Sequence, residues 1–160
     1  MTAVRVATEG VRRTFDGSQV QSIAEQVFAA MIDDDPSTLV LWSGAFPELA
    51  DPLEAWVDLT GSWTGRVALN TERATAHDLS RALLGMTPDE PVDDGDVMDA
   101  FGEVANVVGG NVKSLLTEVG DLGLPQVAQA APPMAGSVLH ELRMSWRGRP
   151  FVVVVTAAAE

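Results

Sequence analysis

From Val97 to Val119, apolar residues recur at spacings of 4, 3, 4, 4, 3 and 4: Val97, Phe101, Val104, Val108, Val112, Leu115 and Val119. At 3.6 residues per turn they line one side of a single long helix, and that side must be buried against something. The opposite side carries Asp99, Glu103, Asn106 and Gly110, spaced 4, 3 and 4 and confined to an arc of roughly 60°. The pattern predicts a helix over 94–118. Carboxylates at its start oppose the positive end of the helix dipole, and Gly120 and Gly123 close it. Any fold for this chain must seat that rod with a carboxylate and a carboxamide, one turn apart, facing away from the core.

The flanking segments supply the rest of a modest core. Asp16-Gly17-Ser18 precedes a helical pattern with Val20, Ile23, Val27, Ala30 and Met31 on one side, and Asp33-Asp34-Asp35-Pro36 ends it. Residues 38–42 and 53–60 read as strands; in the second, Ala55, Val57 and Leu59 share one face and Glu54, Trp56 and Asp58 the other. Gly61 suggests a hairpin into 63–69. Helical spacing returns over 73–84, with Ala76, Leu79 and Leu83 as core candidates and Gly85 as the stop. An acidic connector, 87–96, leads into the long helix. Beyond it, Leu124-Pro125-Gln126-Val127 opens an extended stretch, and Ala130-Ala131-Pro132-Pro133 has the composition of a mobile segment. Residues 138–146 and 151–156 form a closing hairpin around Arg147-Gly148-Arg149, and Val152 to Val155, without polar alternation, imply burial on both faces. No repeat or linker interrupts the chain. The expected architecture is α+β: one domain over 16–160, a mostly antiparallel sheet of about five or six strands, the long helix and two further helices. Residues 1–15 are expected to form an N-terminal arm or an extra strand around Val4 and Val6.

Composition narrows the function. With 10 Lys and Arg against 23 Asp and Glu, the formal charge is −13, which argues against nucleic acid and against an anionic membrane surface. No apolar run approaches the roughly 18–20 residues that span a bilayer, and residues 1–13 have three arginines but no apolar block, unlike a secretory signal. The absence of cysteine suits a cytoplasmic protein, and the isolated His77 and His140 do not make a metal site. There is no Gly-rich phosphate loop and no nucleophile elbow. No cofactor is expected in this chain.

Polar stripes are common on surface helices, so a plain solvated face competes with any functional reading of Asp99, Glu103 and Asn106. Three details cut against it. Asp99 and Glu103 are like charges at i, i+4, which costs a few tenths of a kcal/mol. Asn106 is a poor helix-interior residue. Gly102, Gly109 and Gly110 together cost roughly 2–3 kcal/mol against alanine. On or beside the polar stripe, those glycines offer bare backbone to an approaching molecule; close helix packing within the protein is the rival account for Gly102 and Gly109. Lys113, the only lysine, projects from the same side, where a cation also suits the second half of a helix. A carboxamide is no base at neutral pH, but it can hold a water in line with a scissile bond, as the water-positioning glutamine of GTPases does. On an outer face, Glu103 and Asn106 have to complete a site that belongs to another protein.

The segment D-x-x-x-E-x-x-N-x-x-x-G-N, Asp99 to Asn111, resembles the signature of the CheC/CheX/FliY chemotaxis phosphatases, which dephosphorylate the phospho-aspartate of CheY-type response regulators. The likeness extends over about 16–158. Only one copy of the motif is present: in the first helix Glu25 is the nearest counterpart, with Phe28 where Asn would stand and Gln21 where Asp or Ser would stand. This single-motif pattern is similar to CheX. The resemblance implies a protein aspartyl-phosphate phosphatase in which Glu103 pairs with the receiver's active-site lysine and Asn106 enters beside the acyl phosphate and orients the attacking water. Asp99, Gly102, Gly109, Gly110 and Lys113 would contact the partner, and Mg²⁺ would be bound by the receiver. It also implies a homodimer associating through its sheets, for which Val152 to Val155 could form the strand; an ordinary central strand is the competing account. A non-catalytic adaptor of the same fold, binding a receiver or a flagellar motor component, is the alternative function.

Overall fold

The structure is a computed structural model that describes residues 16–61, 63–116 and 120–159. Helix α1 (Gly17–Met31) opens on a capping box: the Asp16 carboxylate accepts from the Gln19 N–H at 3.1 Å, and the Gln19 side chain accepts from the Asp16 N–H at 2.8 Å. It buries Val20, Ala24, Val27 and Phe28 and leaves Ala30 exposed. The inward side is thus rotated from the expected stripe toward Phe28, whose ring meets Phe151 at 5.0 Å and Trp146 at 6.3 Å, both edge-on. Helix α2 (Arg73–Leu84) buries Ala76 and Leu79, half-buries Leu83, and stops at Gly85 in the left-handed conformation (φ 70°).

Helix α3 (Asp94–Lys113) carries the long stripe. Asp93 caps it, accepting from the Asp96 N–H at 2.7 Å, and Val97, Phe101, Val104, Val108 and Val112 are all buried. The helix ends five residues short of the expected 118. The N–H groups of Leu115 and Leu116 turn to Val112 and Lys113 three residues back, which tightens the chain out of the α-helical ladder. Val119, like Val4, Val6 and the expected N-terminal arm, lies outside the described residues.

Among the described residues seven antiparallel strands form one sheet, more than the five or six expected: β1 (Leu39–Leu41), β2 (Pro52–Thr60), β3 (Gly65–Glu72), β4 (Asp121–Leu122), β5 (Gln126–Ala128), β6 (Gly136–Trp146) and β7 (Arg149–Ala158). The order is β1-β6-β7-β3-β2-β4, with β5 also paired to β2. β1 and β5 fall within the strand expected at 38–42 and the extended stretch that opens at Leu124, whereas β4 escapes a periodicity reading because two residues cannot display alternation. The β6–β7 turn has φ 52° at Arg147 and 80° at Gly148, the mirror-image geometry that matches the twist of paired strands. β7 lies between β6 and β3, so Val152 to Val155 form a central strand with both edges paired, and they offer no free edge to a second copy.

Among the described residues the three α-helices pack on one face of the sheet, with α3 between α1 and α2 and seated chiefly on β2 and β3. On the opposite face, residues 130–133 are not loose. Ala131 donates to Glu54 at 2.5 Å, and Arg66 reaches the Pro132 carbonyl at 2.6 Å. Arg66 also pairs with Asp58 at 2.6 Å and lies 5.7 Å from the Trp56 ring centroid. Trp56, although on the face away from the helices, is therefore only 4% exposed.

Candidate functional site

Asp99 and Glu103 are exposed on α3, while Asn106, Gly110 and Lys113 are half-buried. Among the described residues, no hydrogen bond or ion pair engages the side chains of Asp99, Glu103, Asn106 or Lys113. Neither polar atom of the Asn106 amide is a buried orphan, so the amide, without a partner among the described residues, is open to solvent. Its neighbours are less free: Asn111 donates to the Val107 carbonyl at 2.8 Å and Ser114 to the Gly110 carbonyl at 3.1 Å. Five Asp, Glu, Asn and Lys residues lie in this stretch, yet only Asn111 turns its polar end back onto the helix.

The difference between exposed Glu103 and half-buried Asn106 follows from the glycines. Around the helix, at about 100° per residue, Asn106 stands about 40° from Gly102 and about 60° from Gly109. Both glycines are buried. A β-carbon at Gly102 would meet Pro125 and Val127 at 3.6 Å, and one at Gly109 would lie 2.2 Å from Val57 Cγ2. The expectation of open backbone fails at these two positions, because Gly102 faces the β4–β5 edge and Gly109 sits on Val57 of β2 beside Leu122, and internal packing accounts for them. Gly110 differs: it is half-buried, its nearest neighbour would be Leu122 at 3.8 Å, and it lies on the outer arc with Glu103 and Asn106. The shallow packing of α3 onto that edge brings Asn106 beside strand residues, while Glu103, farther round, projects clear.

On the other flank, Val107 and Asn111 join Ile23, Val27 and Met31 of α1 around a notch of about 180 Å³. The position that matches Asn106 on α1 is Phe28, which is 1% exposed within the aromatic core, and Gln21 donates to Glu25 at 2.9 Å. Helix α1 thus holds neither an outward amide nor a free carboxylate at those places. Periodicity gave no reason to single out Leu124, which is 85% exposed between β4 and β5. The Gly-Leu-Pro sequence of 123–125 is the only local signal for it. Among the described residues no three His, Cys, Asp or Glu side chains converge as a metal cage, and no helix is long and apolar enough to cross a membrane.

A family model described as Chemotaxis phosphatase CheX matches residues 53–138, just over half of the chain. The chain belongs to the CheX family. The matched span runs from β2 into β6 and contains every candidate residue on α3 and the β4–β5 edge; α1 lies outside it. CheX of Borrelia burgdorferi, solved as a complex with CheY, BeF3 and Mg²⁺, has a TM-score of 0.70 at 18% identity, covering 91% of this chain and 99% of that one. CheX of Vibrio vulnificus gives 0.66 at 17%, covering 88% and 94%. FliY of Thermotoga maritima gives 0.58 at 12%, covering 96% and 90%. No curated protein matches the chain. At these identities the structural relatives establish the CheX-like α+β fold.

Proposed function

We propose that this CheX-family chain accelerates hydrolysis of the aspartyl phosphate on a CheY-type response regulator, with Glu103 and Asn106 entering the receiver's active site. The observation that carries the reading is the pair itself. A carboxylate and a carboxamide one turn apart stand on a capped, core-anchored helix with no partner among the described residues. Preorganisation of that kind lowers the entropic cost of fitting a foreign pocket. Asn106 holds a water by one donated and one accepted hydrogen bond, in line with the P–O bond to the aspartyl carboxylate. Glu103 pairs with the receiver's active-site lysine and fixes the depth of entry. The receiver supplies the phosphoryl group and the Mg²⁺, consistent with the CheY, BeF3 and Mg²⁺ named in the Borrelia burgdorferi complex. An acceleration of about 10²–10³-fold requires about 3–4 kcal/mol, within reach of one oriented water and its enforced geometry.

Asp99, Gly110 and Lys113 complete the contact face. Any association between copies has to use a surface other than the β7 edge, which β6 and β3 occupy. Phosphate release from phosphorylated CheY-type receivers of the same genome tests the reading. Acceleration above the spontaneous rate is expected. Binding of a receiver without faster release would replace it with the adaptor function, a reading to which the fold shared with FliY and the FliM middle domain also lends itself.

A further inference from the structure

The edge of the sheet beside Asn106 contains a bulge. Leu59 of β2 pairs with Leu122 and Trp56 with Gln126, so that Gly123, Leu124 and Pro125 stand opposite only Val57 and Asp58. One extra residue on an edge strand locally ends the ladder and re-aims a side chain. Here both ends of the bulge are tied down. The Gly123 N–H donates to the Asp58 carbonyl at 2.7 Å, and Pro125 packs under Gly102 of α3. Pro125 also confines Leu124 to extended backbone, so Leu124 cannot fold back to hide. It is 85% exposed, against 53% or less for the other exposed large apolar residues, Val40, Leu41, Leu84, Met98 and Val138.

Its position along α3 is fixed by the same contacts. Pro125 faces Gly102, and Leu122 faces Gly109 and Gly110, so the bulge runs alongside the turn of helix that bears Asn106. Leu124, between Leu122 and Pro125, stands level with that amide on its strand-side flank.

Resting on the receiver-phosphatase reading, we propose that Leu124 is the apolar anchor of the receiver interface: it inserts into an apolar depression next to the receiver's phosphorylation site and sets the approach of Asn106. A rigid, desolvatable apolar side chain next to a polar catalytic pair has the anatomy of an interface hot spot. The residue acts on docking and positions Asn106 through it.

The test is steady-state phosphate release by the full chain from a panel of acetyl-phosphate-labelled CheY-type receivers of the same genome, for wild type, Leu124→Ala and Leu124→Met. Leu124→Ala is expected to raise KM about 10- to 100-fold, the scale of losing one buried leucine contact, while Leu124→Met restores it to within a few-fold. Circular dichroism checks that the exposed substitution leaves the fold unchanged. A KM for Leu124→Ala within twofold of wild type overturns the anchor and leaves the phosphatase reading standing. Failure of the wild type to accelerate release from any receiver overturns both. Sedimentation in which Leu124→Ala dissolves a dimer while KM is unchanged assigns the residue to a second copy and overturns the anchor.

Discussion

Gly109 of α3 rests directly on Val57 of β2: a β-carbon on the glycine would lie 2.2 Å from Val57 Cγ2. The helix and sheet meet there with no space for a methyl group, and this closeness sets how far Asn106, one turn earlier, is drawn toward the β4–β5 edge.

Gly109→Ala is therefore expected to lower stability by about 1–3 kcal/mol through overpacking, more than the roughly 1 kcal/mol that alanine gains in helix propensity. Gly110→Ala should behave oppositely. Its β-carbon meets only Leu122, at 3.8 Å, so stability should rise by up to about 1 kcal/mol. Urea denaturation of both variants checks the pair. In receiver assays, the stabilised Gly110→Ala should bind more weakly, because its new methyl group stands on the proposed contact face.

Glu103→Ala is expected to lose affinity for a BeF3-activated receiver by about tenfold or more and to slow dephosphorylation as well, since one charged partner of an interfacial pair is removed. Calorimetric titration reads the affinity. Unchanged affinity would contradict the assigned lysine partner.

Two ion-paired carboxylates predict the acid limb of stability. Burial works against the charge of Asp33, but hydrogen bonds from Arg147 and from Trp146 Nε1, the latter at 2.9 Å, outweigh it and hold the carboxyl below the ordinary range. Burial likewise opposes the charge of Asp78, and Arg149 and Arg81 overcome it. A carboxyl lowered on folding contributes stability that is complete above the unfolded value and is lost as pH falls through the folded one. The urea midpoint of the wild type should thus fall as pH drops below about 4, and that of Asp33→Ala should fall less over the same interval. At neutral pH Asp33→Ala should cost about 1–3 kcal/mol, because it strands the indole N–H of fully buried Trp146.

What could be read from the residues and what could not divide along physical lines. The α3 stripe is legible because five turns of 3.6-residue spacing admit no other reading, and the stop at Gly85 because a left-handed cap favours glycine. Glu103 and Asn106 follow from the same periodicity. The burial of Gly102 and Gly109 does not, because the helix wheel does not reveal that a strand edge flanks Asn106 at Pro125 and Leu122. Trp56 alternates outward with Glu54 and Asp58, yet it is buried: the Arg66 guanidinium lies by its ring, and Ala131 and Pro132 are tied to Glu54 and Arg66, contacts made across 77 and 66 positions of chain. The prominence of Leu124 depends on a bulge, and a bulge is a property of two strands together.

The most direct test is single-turnover release of phosphate from a phosphorylated CheY-type receiver by wild type and Asn106→Ala, with receiver binding measured in parallel. The account predicts that the variant binds nearly as well as the wild type, keeps its thermal stability, and leaves the receiver to hydrolyse at its spontaneous rate. Wild-type acceleration by Asn106→Ala would show that the water is held by some other group and would contradict the central claim.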